Sequence, residues 1–187
     1  MMDPLQIPFS ACFVHGIPVN GRSQQLVEMR LLLEGRPPVL HGAKVGAAAV
    51  MMARAWRQIR ALSPAEARER AQTRRYPDEA TQREDIRAAY GPLADQVIAS
   101  HQPFVAMSPD RRRWLAQCIA ENWERIQAIA AAVPEPERLT ELLESAGAPA
   151  APQQLGLGDD EVALAEQAGH YIRSRFTVRK LQIAQGL

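Results

Sequence analysis

Apolar residues along the chain fall at steps of three and four, in blocks separated by short stretches of Pro, Gly, Ser and Asp. That spacing draws one apolar stripe down a helix, whereas a strand would alternate every second residue. The first block runs from Ser23 to Glu34, with Leu26, Met29, Leu32 and Leu33 on one side, and Gly35, Pro37 and Pro38 stop it. A second helix is predicted from His41 to about Leu62. It opens with Gly42, Ala43, Gly46, Ala47, Ala48 and Ala49, small enough for another backbone to come close, and turns Arg54, Arg57, Gln58 and Arg60 outward in its second half. Ser63-Pro64-Ala65-Glu66 then writes a capping box with Pro at the first helical position, starting a helix to about Thr73.

Further along, Tyr76-Pro77-Asp78 leads into a helix through Ala89, and Gly91-Pro92 reopens one through Ser100. Ser108-Pro109-Asp110 caps a long helix to Val133 whose stripe is Trp114, Leu115, Cys118, Ile119, Trp123, Ile126, Ile129 and Ala130. A short helix from Glu137 to Ala146, a loop from Gly147 to Gly158, a helix from Asp159 to about Arg175, and a last helix capped by Thr177 complete the chain. Strand alternation, internal repeats and coiled-coil heptads are not found. The expectation is an all-α bundle of seven to nine helices. Residues 1–22, with turn residues around the short apolar stretch Phe9 to Val14, read as an N-terminal tail or entering segment, and 23–187 as one helical domain.

Composition agrees. The 187 residues suit one domain able to bury roughly 70% of its unfolded surface. Hydrophobic residues make up 47% but aromatics only 5%, so Ala and Leu carry the apolar share and favour helix. With 22 Lys and Arg against 21 Asp and Glu, no overall field draws in nucleic acid or an anionic membrane. Cys12 and Cys118 form no metal or redox spacing, which points to a reducing cytoplasm. The start lacks a basic signal-peptide region, and the longest apolar run, Val45 to Ala53, is about half a bilayer crossing, so no membrane segment is expected.

Candidate chemistry is sparse. His41 stands at a helix mouth behind the rigid Pro37-Pro38 turn, and Lys44 one turn on would face the same mouth, where it could meet an anionic substrate group. Against this, a helix-start histidine often just satisfies backbone groups, and a lone lysine is often solvated. His101 ends a predicted helix, where a cation suits the dipole, and His170 lies beside Tyr171 as a packed or half-exposed side chain. Arg111-Arg112-Arg113 and Arg74-Arg75 sit near helix starts without interleaved aromatics and read as solvated faces.

Several segments together resemble the iron-containing alcohol dehydrogenase superfamily, and within it the sn-glycerol-1-phosphate dehydrogenase branch. They are Leu33-Glu34-Gly35-Arg36-Pro37-Pro38 into His41-Gly42-Ala43-Lys44-Val45-Gly46, then Ile86 to Ala94, Ala146 to Leu157, and Tyr171 to Val178. The likeness covers about residues 23 to 187 in order. It implies the fold of that family's C-terminal helical domain. In the family, it further implies, an N-terminal domain binds NAD(P), and the helical domain supplies one Asp and two His to a divalent metal such as Zn, Fe or Ni that polarises the substrate oxygen.

Three departures accompany the resemblance. A glycine-rich strand-turn-helix fingerprint for phosphates is missing, since Gly156-Leu157-Gly158 follows no strand. The family's Asp ligand belongs to a segment that would precede Met1, and Asp3 is the only Asp before His41. Gln24 stands where the family's other His should be, leaving His41 as the remnant ligand, with His15 as a distant substitute. A neutral amide is a poor ligand for Zn²⁺ or Fe²⁺. The expectation is a truncated or degenerate dehydrogenase-like domain with no catalytic residues and no cofactor of its own. Two alternatives stay open: a helical subunit completed by a separately encoded Rossmann partner, and a helical interaction module that self-associates through a face exposed by the missing parts. The first face of the His41 helix and Phe9 to Val14 are the candidates for that face.

Overall fold

The computed structural model describes Gly35, residues 39–172 and residues 174–187. The helix expected from Ser23 to Glu34, and with it His15 and Gln24, lies outside the described residues. Among the described residues there are α-helices and short 3-10 turns and no strand, as the sequence pattern predicts. The helices are α1 (His41–Ala61), α2 (Pro64–Thr73), α3 (Glu79–Tyr90), α4 (Ala94–Val105), α5 (Pro109–Glu121), α6 (Trp123–Ala131), α7 (Pro136–Ser145), α8 (Asp159–Ala168) and α9 (Val178–Gln185). Gly91–Leu93, Pro152–Leu155 and Gly169–Ile172 are 3-10 turns.

Local side-chain chemistry sets the helix starts. Ser63 Oγ accepts from the Glu66 N–H at 3.2 Å while the Glu66 carboxylate accepts from the Ser63 N–H at 2.8 Å, so α2 begins with two of its orphan donors satisfied. Asp78 starts α3 through the Thr81 N–H, Ser108 starts α5 through the Arg111 N–H, and Thr177 starts α9 through the Lys180 N–H. At the end of α7, Gly147 takes φ +67 and the Ala148 N–H reaches back to the Leu143 carbonyl at 2.8 Å, a Schellman closure that a left-handed glycine permits.

Packing forms two apolar cores. The first gathers the second half of α1 with α2, α5, α6 and α9 around Trp56, Ile59, Leu115, Ile119, Trp123 and Leu181. The second gathers α3, α4, α8 and the 169–172 turn around Ile86, Tyr90, Ile98, Ala165 and Tyr171. The longest helix, α1, threads the first core. Its small-residue face takes α7 and the 152–155 turn at close range, because a Cβ placed on Gly46 would meet Leu143 Cδ2 at 2.9 Å and the Pro149 carbonyl at 3.4 Å. The small-residue face of the His41 helix is therefore covered at Gly46 by residues of the same chain. Arg57 and Arg60 of α1 add ion pairs to Glu137 and Glu135, which are partly exposed and contribute at most about 1 kcal/mol each.

Four details depart from the pattern read in sequence, the first being that the helix expected from Asp159 to about Arg175 ends at Ala168 and gives way to the Gly169–Ile172 turn. The single helix predicted from Ser108 to Val133 bends at Asn122, whose backbone turns to φ −104, ψ 15 and whose side-chain amide donates to the Cys118 carbonyl at 2.9 Å. An asparagine amide competes there for a main-chain acceptor and loosens the turn. Trp114, placed on the core stripe, is 41% exposed with the Arg111 guanidinium stacked 3.8 Å over its ring. Finally, the helix predicted to stop at Ser100 continues to Val105 and carries Pro103 inside its last turn.

The tight seat of Gly46 generates a graded expectation. Gly46→Ala should change unfolding free energy by less than about 1 kcal/mol, since the clash falls on the free end of Leu143 and alanine has the better helix propensity. Gly46→Val should cost about 1–3 kcal/mol by forcing α1 and α7 apart. Urea unfolding reads both, and an unchanged midpoint for the valine variant would contradict the close packing.

Candidate functional site

Two places hold the titratable residues singled out above, and they differ in access. At the mouth of α1, Leu40 precedes the helix with no side-chain cap, no acid occupies the first turn, and His41 and Gly42 are exposed. Lys44 is only 5% exposed. The two side chains thus do not face solvent together, as the sequence reading had them doing; one points outward and the other is enclosed. Among the described residues no three His, Cys, Asp or Glu side chains gather closely enough to hold a metal ion.

The second place is a sealed polar cluster where α3, α4, α9 and the 169–172 turn meet. His101 is not the helix-end cation predicted from sequence: α4 continues beyond it, and its imidazole is completely buried. Its ring stacks on Phe104 at 5.3 Å and meets the edge of Tyr171 at 5.3 Å, with His170 at 6.3 Å. Lys180 enters from α9, fully buried, and its ammonium donates to the His170 carbonyl at 3.0 Å and the Arg175 carbonyl at 2.6 Å while lying 4.3 Å over the Phe104 ring. From α3, Asp85 accepts from the Tyr171 hydroxyl at 3.3 Å, and the Tyr90 hydroxyl donates to the Ala168 carbonyl at 2.8 Å.

Burial dominates the electrostatics. It pushes the phenols of Tyr76, Tyr90 and Tyr171 above the ordinary tyrosine range, with Tyr171 adding to the first two and the Asp85 carboxylate to the third. Burial also holds the His170 imidazole well below the usual histidine value, reinforced by Lys180, His101 and Arg179. Such a cluster, closed to solvent, orders side chains rather than admitting a substrate.

An open groove of about 450 Å³ between α2 and α5 is a third feature, with Arg68, Gln72, Arg113, Gln117 and Glu121 along its sides. Arg113 is engaged by Asp110 on its own helix. The groove gathers no set of catalytic groups.

Sequence reasoning found His101 and His170 but not their partners. Lys180 and Asp85 carry no local signal, since each sits in a helix of mixed polarity and meets the cluster only in the fold, Lys180 at the His170 carbonyl and Asp85 at the Tyr171 hydroxyl. The aromatic scarcity was the one available hint: two of the three tyrosines and one of the four phenylalanines lie in or beside this cluster.

Comparison with known proteins gives one informative likeness. The chain is 27% identical over 166 residues to a Bacillus subtilis (strain 168) protein named glycerol-1-phosphate dehydrogenase, NAD(P)+, an alignment covering 87% of this chain and 29% of that protein. The chain thus spans well under half the length of the relative it matches. No family model matches it, and no solved structure does.

The cluster generates a stability expectation. Lys180→Met should cost about 2–4 kcal/mol, because the methionine fills the space but leaves two buried carbonyls without their donor. Denaturant unfolding at neutral pH measures it; a loss under about 0.5 kcal/mol would show that the ammonium contributes little.

Proposed function

We propose that these 187 residues form a helical domain of the glycerol-1-phosphate dehydrogenase type that does not carry out the dehydrogenase reaction by itself. The observation that supports this reading is the likeness to the Bacillus protein along 87% of the chain, set beside Gln24 at the position where the resemblance asks for a metal-binding histidine. His41 then stands as a remnant ligand, and Lys44 is withdrawn from the mouth where an anionic substrate would enter. The sequence offers no glycine-rich turn between a strand and a helix to cradle a pyrophosphate, so hydride chemistry would lack its carrier here.

A second reading follows from the alignment reaching only 29% of the relative's length. In it the domain is the helical subunit of a split enzyme, and a separately encoded nucleotide-binding partner brings NAD(P) and the missing ligands. The two readings part on addition of such a partner, which would raise activity only in the second. A helical interaction module is the third reading. With the small-residue face of α1 already occupied, it rests on the exposed Leu40, Trp114 and Leu142.

The purified chain should therefore neither quench nor enhance NAD(P)H fluorescence saturably at micromolar cofactor, nor oxidise glycerol 1-phosphate. Elemental analysis after dialysis should find divalent metal well below one equivalent, because a single imidazole holds such ions weakly. Near-stoichiometric metal that disappears on His41→Ala would show an intact site and sink the proposal.

A further inference from the structure

The sealed cluster has chemistry that none of these readings uses. His170 and Lys180 are tied through the main chain, since the Lys180 ammonium is hydrogen-bonded to the carbonyl of His170 itself at 3.0 Å. A charge on the His170 imidazole would thus sit beside a cation that cannot move off without α9 leaving its seat. We propose that His170, enclosed between the Lys180 ammonium and the His101 imidazole, makes the docking of α9 an acid-labile latch, closed while the imidazole is neutral and opened by its protonation.

The groups facing the ring from each element favour this sign. The α4 helix contributes His101, the turn itself contributes Tyr171, and α9 contributes Lys180 and Arg179. On α8 the carbonyl of Gln167 favours the charged form, while Glu166 is exposed. The carboxylate of α3, Asp85, is turned to the Tyr171 hydroxyl. Two cations and a second imidazole therefore outweigh one carbonyl in a site with little water to screen them.

Because burial, then Lys180, lowers the folded-state value of His170, closure is fully held above the ordinary histidine range and weakens as pH falls through it. The opening constant of α9 should rise about tenfold per pH unit below roughly pH 6.5, until the folded-state value is reached. Release carries the Lys180 ammonium into water and frees the turn at 169–172 from α9.

Amide hydrogen exchange of the full chain tests this, corrected for intrinsic exchange and followed from about pH 7.5 to about pH 5. The Leu181 amide on α9, bonded to the Thr177 carbonyl at 2.9 Å, should show the rising opening constant, and the Ile126 amide on α6 should show a much smaller change. His170→Gln should flatten the α9 response. An α9 opening constant independent of pH, or an unchanged slope in His170→Gln, would overturn the latch. If that variant fails to fold, exchange at the histidine ring C2 position, read by mass spectrometry on the unaltered protein, decides instead. A His170 ring that titrates well below the ordinary histidine value supports the proposal, and one that titrates at or above it overturns it.

Discussion

The Lys180 ammonium is buried where α9 meets the 169–172 turn, and the seating of α9 against that turn depends on how it is held. Val178 and Leu181 seat α9 in the first core, while the end of the lysine side chain reaches the 169–172 turn at the His170 carbonyl. Burying a cation costs several kcal/mol unless it is closely solvated by the protein. Here two main-chain carbonyls and the face of Phe104 replace its water, and all three are fixed by elements of different sequence position. A slip of α9 by one residue would strand the charge, so the interaction selects a single docking arrangement more than it adds raw stability.

Close approach is the complementary constraint on the other side of α1. Helix axes come near only where side chains are small, and Gly46 provides that place for Leu143 of α7 and the Pro149 carbonyl. Placing α7 there also sets Glu135 and Glu137 against Arg60 and Arg57. Those surface pairs follow from the packing and contribute little to it. The same arrangement covers α1 at Gly46 and leaves His41 at the helix mouth and Arg54, Arg57 and Gln58 further along exposed.

Much of the fold was legible in the sequence because its punctuation is local. Ser63, Asp78, Ser108 and Thr177 cap the helices they precede, and each does so through its own side chain within three residues. Periodicity placed Leu115, Ile119, Trp123 and Ile126 in the core correctly, yet it could not show the bend at Asn122, where a side-chain amide rather than the stripe decides the backbone. The candidate site was less legible. His41 stands at its helix mouth as read, while Lys44 turned inward and His101 proved to be deep inside the fold. Lys180 was invisible, because nothing in Val178-Arg179-Lys180-Leu181 says which of two neighbouring cations the core will enclose. Only the meeting of α9 with the 169–172 turn settles that.

Function follows the same division between what is enclosed and what is open. The best organised polar groups are sealed within the fold, and at the α1 mouth the described residues leave His41 exposed. A helical body joined through a buried lysine should therefore behave as one cooperative unit, without a metal or nucleotide to complete it. Differential scanning calorimetry of the chelator-treated protein at neutral pH tests this most directly. A single transition whose calorimetric and van't Hoff enthalpies agree is the result predicted; two separate transitions, or none until a ligand is added, would contradict it.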